Sequence, residues 1–166
     1  GIEMVDHDRF KYYNDTYGHE VGDLVLSTTG RLFRMHREGD TGVRWGGDEY
    51  LRIVRNLVTE TQLGLIAGRD AELVDSFAWE LLDVRLTEHP PRISIGLVYC
   101  ERPSREERAR MVRRDAEVKI ATEQRFDAAV AVPLGSSFDI ARRLVALADQ
   151  KMYEAKRAFA GSADPH

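Results

Sequence analysis

Two short acidic segments stand next to apolar runs, where their side chains could act together on a ligand. Asp48 and Glu49 follow a Gly-Gly pair, and glycine tolerates the positive φ of a tight hairpin turn. Asp6 follows the apolar run of residues 2–5, and Asp8 comes two residues later. Magnesium prefers oxygen ligands and keeps substrate phosphates in its coordination shell. Carboxylates from two strand ends therefore favour a metal site that handles nucleotide phosphates.

The composition is that of a globular protein without a membrane span or a general affinity for nucleic acid. Of the 166 residues, 43% are hydrophobic and 31% are charged, and the formal net charge is -4. A chain of this length can bury a substantial core as one domain. No apolar run reaches the roughly 20 residues that cross a bilayer, and the acidic balance argues against a nucleic-acid partner. The single cysteine, Cys100, fits a reducing cytoplasm.

The periodicity of apolar residues predicts mixed strands and helices. Strands are expected over residues 2–5, 43–45, 50–54, 92–99 and 128–133. Helices are expected over residues 10–14, 21–35, 59–82 and 139–156. The hairpin pattern favours a mostly antiparallel sheet covered by helices, an α/β (α+β) fold in one domain over residues 1–166.

A charged stretch over residues 101–126 is rich in arginine and in acidic residues. Such spacing suits a solvent-exposed helix in which arginines pair with carboxylates three or four positions away. A docking surface for a partner is the alternative interpretation of the same residues.

Several motifs, taken in order along the chain, resemble the GGDEF family of diguanylate cyclases. They are Asp6–Lys11, Asn14–His19, Gly22–Asp23, Gly46–Tyr50, Ile93–Gly96 and Ala148–Lys156. The resemblance covers nearly the whole chain, apart from an insertion at about 101–138. It implies a palm-like, mostly antiparallel fold, as in nucleotidyl cyclases and polymerase palm domains. It also implies that residues 1–166 lack the helix that precedes the first strand in the family.

The resemblance implies that the chain condenses two GTP molecules into cyclic di-GMP with release of pyrophosphate. Two Mg²⁺ (or Mn²⁺) ions would assist the attack of each 3′-hydroxyl on the α-phosphate of the other GTP, across a homodimer. It further implies a GTP-binding transferase of bacterial second-messenger signalling, with cyclic di-GMP as product and feedback inhibitor. We expect a cytoplasmic location, including the cytoplasmic part of a membrane-attached protein, and a sensory or regulatory domain N-terminal to this chain.

The same resemblance implies roles for individual residues. It implies catalytic roles for Asp48 and Glu49, and metal ligands at Asp6, the His7 backbone carbonyl, Asp48 and Glu49. It implies substrate contacts at Phe10, Lys11, Asn14, Asp23 and Lys156, and an inhibitory product site at Arg37 and Asp40. A carboxylate at Asp23 favours guanine, because N1-H and N2-H of guanine form a donor pair that adenine lacks.

Simpler interpretations of these residues stay open. Asp48 and Glu49 are also common turn residues, and Asn14 is a residue type that caps helices and turns. Arg37 and Asp40 can form an exposed ion pair, which contributes little to stability.

Three positions differ from the family pattern. His7 stands for an aliphatic residue, although its implied role is that of its backbone. Tyr50 replaces phenylalanine and adds a hydroxyl that needs a partner. Ala160 stands where the family commonly has an arginine, and this favours an alternative function, that of a catalytically degenerate module that binds GTP or cyclic di-GMP for signalling. A cyclase that makes another cyclic dinucleotide is a third possibility, against which Asp23 argues.

Overall fold

A computed structural model describes residues 1–34, 39–81, 84–86, 89–101, 104–113 and 137–162. The chain divides into two compact units, the first made of Gly1–Tyr99 with Ala148–His166 and the second of Cys100–Leu147. The strand predicted over residues 128–133 lies outside the described residues.

The first unit contains the strands and most of the helices. Its strands are β1 (Ile2–His7), β2 (Thr41–Gly46), β3 (Glu49–Ile53), β4 (Glu80–Leu81), β5 (Val84–Arg85) and β6 (Ile93–Val98). Its helices are α1 (Phe10–Tyr17), α2 (His19–Arg34) and α3 (Glu60–Ser76). In the second unit, residues 105–113 form α4. The last helix, α5 (Ser137–Ser162), begins in the second unit and ends in the first.

A four-stranded sheet of order β2-β3-β1-β6 forms the centre of the first unit. Every neighbouring pair in it is antiparallel, as the sequence predicted. All six residues of β1 are buried, which suits a central strand between two neighbours. Val5 of β1 lies opposite Tyr50 of β3, and both pack against Leu26 of α2.

Gly96 of β6 marks a close contact between the sheet and α5. A Cβ atom added at this glycine would overlap the Ala148 carbonyl oxygen and the Met152 backbone nitrogen. Both helix residues are fully or nearly fully buried. The absence of a side chain at Gly96 therefore lets the C-terminal half of α5 lie directly on the backbone of β6.

The helix predicted over residues 59–82 is correct at its start and wrong at its end. Thr59 caps α3, because its side chain accepts a hydrogen bond from Gln62 N at 3.3 Å. The helix ends at Ser76, and Phe77 is extended with φ -68° and ψ 137°. The Trp79 indole then donates to Val74 O at 2.9 Å, which folds the chain back onto the end of the helix and leads into the β4–β5 pair.

The described part of the second unit matches the exposed helix predicted from its charges. Ser104 and Glu107 form a capping box, with Glu107 N donating to Ser104 Oγ at 3.2 Å and Ser104 N donating to Glu107 Oε2 at 2.8 Å. Arg110 pairs with Glu106 at 2.6 Å, and both side chains are exposed.

Among the described residues, no helix is both long and apolar enough to cross a membrane.

Candidate active site at the end of β1

The predicted acidic hairpin is present between β2 and β3. Gly47 and Asp48 form its turn, and Gly47 has φ +37°, a conformation that favours glycine. Arg44 Nε donates to Gly47 O at 2.8 Å, and the β2–β3 register shifts between Arg44 and Gly46. This irregularity lies directly before the turn that carries Asp48.

The end of β1 lies beside this hairpin. Asp6 is opposite Glu49 in the antiparallel register, and His7 N donates to Asp48 O at 3.4 Å. Burial raises the pKa of Asp6, and the Asp48 charge adds to the shift. Burial also raises the pKa of Glu49, with the Asp6 charge as the next cause. The structure thus brings the four predicted metal-site residues together. The negative charges of the Asp6, Asp48 and Glu49 carboxylates disfavour one another at this site.

Lys156 of α5 supplies a positive charge to this acidic group. Its Nζ forms an ion pair and a hydrogen bond with Asp6 Oδ1, which offsets part of the rise in the pKa of Asp6. The Lys156 side chain is 36% exposed, whereas that of Asp6 is 9% exposed. The lysine therefore joins a buried carboxylate to the solvent-facing side of the site.

The chemistry of the predicted ligand set fits a hard divalent cation. Three carboxylates and one backbone carbonyl offer oxygen atoms alone, which Mg²⁺ and Mn²⁺ prefer. In the described part of the chain, no three His, Cys, Asp or Glu side chains are arranged to hold a metal ion. A cation at this end of β1 would therefore depend on backbone and substrate oxygens in addition to the carboxylates.

The predicted phosphate contacts stand at the start of α1. Arg9 precedes the helix in the left-handed conformation, with φ 56° and ψ 33°, and its side chain does not cap the helix. Phe10 is half-buried and Lys11 is exposed. The first amide groups of a helix lack intrahelical partners and favour anions, so this terminus has the character that the prediction requires.

The predicted guanine-reading residues lie on neighbouring helices. Asn14 of α1 packs against Gly22 of α2 so closely that a Cβ atom at Gly22 would overlap the Asn14 side-chain oxygen. Asp23 comes next along α2 and is exposed. It lines a cavity of about 550 Å³ between α2 and the β2–β3 hairpin, together with Leu26 and Tyr50.

Three supporting hydrogen bonds were not predicted from the sequence. Ser94 Oγ donates to Asp8 Oδ1 at 2.7 Å, and Asp8 N donates to Arg92 O at 2.9 Å. The Tyr50 hydroxyl finds its partner in Leu26 O at 2.7 Å. No sequence signal identified Ser94 as the hydrogen-bond partner of Asp8.

The inhibitory site predicted at Arg37 and Asp40 is described only in part. Arg37 lies outside the described residues. Asp40 Oδ1 accepts a hydrogen bond from Arg55 N at 2.9 Å, and its Oδ2 lies 3.5 Å from Arg52 Nη2. The Asp40 side chain is only 8% exposed, so its carboxylate is directed into the protein.

Arg52 connects Asp40 to a buried group of charges, which we call the Arg52 cluster and which consists of Arg52, Glu3, Asp70 and Asp40. Arg52 Nη1 forms an ion pair with Asp70 of α3 and lies 3.4 Å from Glu3 Oε2 of β1. Burial is the main cause that raises the pKa of Glu3 from 4.5 to about 7. Three carboxylates thus share one guanidinium group in the interior.

The family model and the curated relatives that match this sequence point to the same family. The family model described as "Diguanylate cyclase, GGDEF domain" matches residues 1–128. The Escherichia coli K12 diguanylate cyclase DgcM is 43% identical over 63 residues, which cover 37% of this chain and 15% of DgcM. The chain matches between 8% and 26% of the length of the curated relatives.

Comparison with solved structures gives the same fold. The GGDEF domain of YfiN (TpbB) from Pseudomonas aeruginosa superposes with a TM-score of 0.64 at 24% identity, covering 95% of this chain and 75% of that one. The GGDEF domain of Caulobacter crescentus DgcB, solved in complex with c-di-GMP, has a TM-score of 0.52 at 23% identity, covering 74% of this chain and 71% of that one. The palm-like fold predicted from the sequence is confirmed, and the chain belongs to the GGDEF domain family of diguanylate cyclases.

Proposed function

We propose that this chain is the catalytic domain of a diguanylate cyclase, which converts two GTP molecules into cyclic di-GMP and two pyrophosphates. The observation that carries the proposal is the meeting of Asp6, Asp48 and Glu49 at the end of β1, with Lys156 beside them. Several relatives that match the chain bear the name diguanylate cyclase, which supports the same activity here.

Diguanylate cyclases of this family generally use divalent metal ions, and we propose two Mg²⁺ or Mn²⁺ ions for this chain. When bound, such ions neutralise the triphosphate and lower the pKa of the attacking hydroxyl. Asp6, Asp48, Glu49 and the His7 carbonyl would hold them. Burial lowers the pKa of the His7 side chain to about 4, so its ring stays neutral and adds no charge to the site.

Each remaining residue has one task in the proposed reaction. The backbone amides of Phe10 and Lys11 bind the β- and γ-phosphates, and the side chains of Lys11 and Lys156 add positive charge. Asn14 and Asp23 bind the guanine edge. The Glu49 carboxylate, whose pKa is raised, is suited to accept the proton of an attacking 3′-hydroxyl if it does not ligate the metal.

The chemical balance requires two GTP molecules, because each supplies one attacking 3′-hydroxyl and one α-phosphate. In each half-reaction, a 3′-oxygen of one GTP forms a bond to the α-phosphorus of the other, and the bond to the β-phosphate breaks to release pyrophosphate. We propose that each subunit of a homodimer holds one GTP and that the reaction takes place in the cytoplasm. A sensory or regulatory domain in a longer parent protein fits the small share of each relative that this chain matches.

For product inhibition we propose that Arg37 contacts cyclic di-GMP, because a planar guanidinium suits both phosphate and guanine. Asp40 is already engaged by Arg52 and by the Arg55 amide. We therefore propose that Asp40 supports the inhibitory site from within the protein, through its contacts with Arg52 and Arg55.

The test is incubation of the purified chain with GTP and Mg²⁺, followed by mass spectrometry of the products. We expect cyclic di-GMP from the wild type and none from Asp48→Ala, with the fold intact by circular dichroism. Glu72→Ala, which removes an exposed carboxylate from α3, is the control and should retain activity.

Unchanged turnover in Asp48→Ala would refute the assigned role of the hairpin. If a concentrated wild-type sample gives no product but binds GTP in calorimetry, the degenerate binding module becomes the better description.

A further inference from the structure

Tyr50 directly follows the hairpin acids and makes two contacts with α2. Its ring meets Phe33 edge-on, with centroids 5.5 Å apart, and its hydroxyl donates to Leu26 O at 2.7 Å. The residue is 6% exposed.

The partner of this hydroxyl lies next to the predicted base-binding residue. Leu26 follows Asp23 by three positions in α2, which places both on one face of the helix. Both line the cavity that Tyr50 also lines. A single buried hydrogen bond therefore joins the strand that carries Glu49 to the helix turn that carries Asp23.

The hydroxyl is not needed to complete the helix. Inside an α-helix, the carbonyl of residue 26 accepts from the amide of residue 30, and α2 continues to Arg34. The Tyr50 hydroxyl is an additional donor to that carbonyl. Its removal would leave the helix bond in place, so the effect should fall on the position of the hairpin relative to α2.

We propose that Tyr50 is a positioning residue, which fixes the acidic hairpin against α2. The hydroxyl thereby sets the distance between the phosphate-binding and base-binding parts of the site, which together hold one GTP. This inference rests on the proposed function and deepens it. It predicts that the hydroxyl matters for a ligand that spans both parts and not for a ligand that occupies the phosphate part alone.

The test compares two ligands by calorimetry in the presence of Mg²⁺. The first, 3′-deoxy-GTP, carries base and triphosphate but lacks the attacking hydroxyl, and the second is inorganic tripolyphosphate. Tyr50→Phe should bind 3′-deoxy-GTP roughly three- to tenfold more weakly than the wild type, the range expected for one hydrogen bond. Its affinity for tripolyphosphate should be unchanged.

Tyr13→Phe is the matched control. Tyr13 is also buried, and its hydroxyl donates to a backbone carbonyl, His89 O, at 3.2 Å rather than to a carbonyl of α2. This variant should lose comparable thermal stability while its affinities for both ligands stay at the wild-type values. Thermal melting of all three proteins shows whether each remains folded.

The outcomes separate this inference from the function on which it rests. Equal affinity of wild type and Tyr50→Phe for 3′-deoxy-GTP would overturn the inference alone. An equal loss for both ligands, or the same selective loss in Tyr13→Phe, would also overturn it, because general loosening would then explain the result. A wild-type chain that binds neither ligand would refute the proposed function and the inference with it.

Discussion

Glu3→Gln should stabilise the protein at pH 8 and flatten the pH dependence of its free energy of unfolding. Glu3 has no exposed surface and faces Arg52, Asp70, Asp40 and the amino group of Gly1. Burial and the two aspartates raise the pKa of Glu3, whereas Arg52 and the amino group lower it. With all three carboxylates ionised, the Arg52 cluster carries excess negative charge in the interior, which is costly.

The magnitude follows from the shift in pKa. A rise from 4.5 to about 7, at ~1.36 kcal/mol per unit, corresponds to about 3 kcal/mol. The folded state holds this proton more tightly than the unfolded chain does. The stability that the neutral acid gives is therefore fully present below about pH 4.5 and is lost as the pH rises through about 7. Glutamine keeps the neutral shape and has no proton to lose.

The assay is urea unfolding at pH 5, 6, 7 and 8, followed by tryptophan fluorescence, to which the buried Trp79 contributes. The difference between Glu3→Gln and the wild type should grow with pH, by about 2.5 kcal/mol between pH 5 and 8. Glu72→Gln removes an exposed carboxylate from α3 and should run parallel to the wild type. A Glu3→Gln curve that also runs parallel would show that Glu3 is ionised throughout, and the reasoning would fail.

Three further predictions concern hydrogen bonding and packing near the site and on α3. Ser94→Ala should lower the free energy of unfolding by about 1–2 kcal/mol in urea titrations, because it leaves the buried Asp8 carboxylate without its hydroxyl donor. An unchanged free energy of unfolding would contradict this role of the serine hydroxyl. Gly96→Ala should cost at least about 2 kcal/mol, because the new methyl group would overlap the backbone of α5. Gly64→Ala, on α3 with open space around it, should instead stabilise by about 0.5–1 kcal/mol. Equal effects of the two glycine substitutions would contradict the close contact at Gly96.

The acidic motifs were predictable because local rules and order along the chain both constrain them. The Gly-Gly pair identified the hairpin turn, and the apolar run before Asp6 identified the strand that ends beside it. The end of α3 was not predictable in the same way. Residues 77–82 keep an apolar spacing that suits a helix, but Trp79 packs in the core with Val25 of α2 and with Leu86, and this tertiary contact overrides the local pattern.

The Arg52 cluster was also beyond sequence reasoning. In a strand, Glu3 and Arg52 each follow the alternation expected of a half-exposed sheet, where charged residues face water. The structure shows instead that the sheet face carrying Glu3 and Arg52 is buried. The strand register places Glu3 opposite Arg52, and Asp70 of α3 pairs with Arg52 from above that face. The partner of the Tyr50 hydroxyl was unknown for the same reason, since the contact with Leu26 depends on how α2 lies on the sheet.

The ion pair between Asp6 and Lys156 joins positions 150 residues apart, and this has a consequence for biosynthesis. A ribosome makes β1 well before α5, so the nascent domain carries its acidic residues without their lysine partner until α5 has been synthesised. Until α5 emerges and docks on Gly96, neither the counter-charge nor that face of the sheet is complete. The proposed active site is therefore complete only after synthesis has passed residue 156.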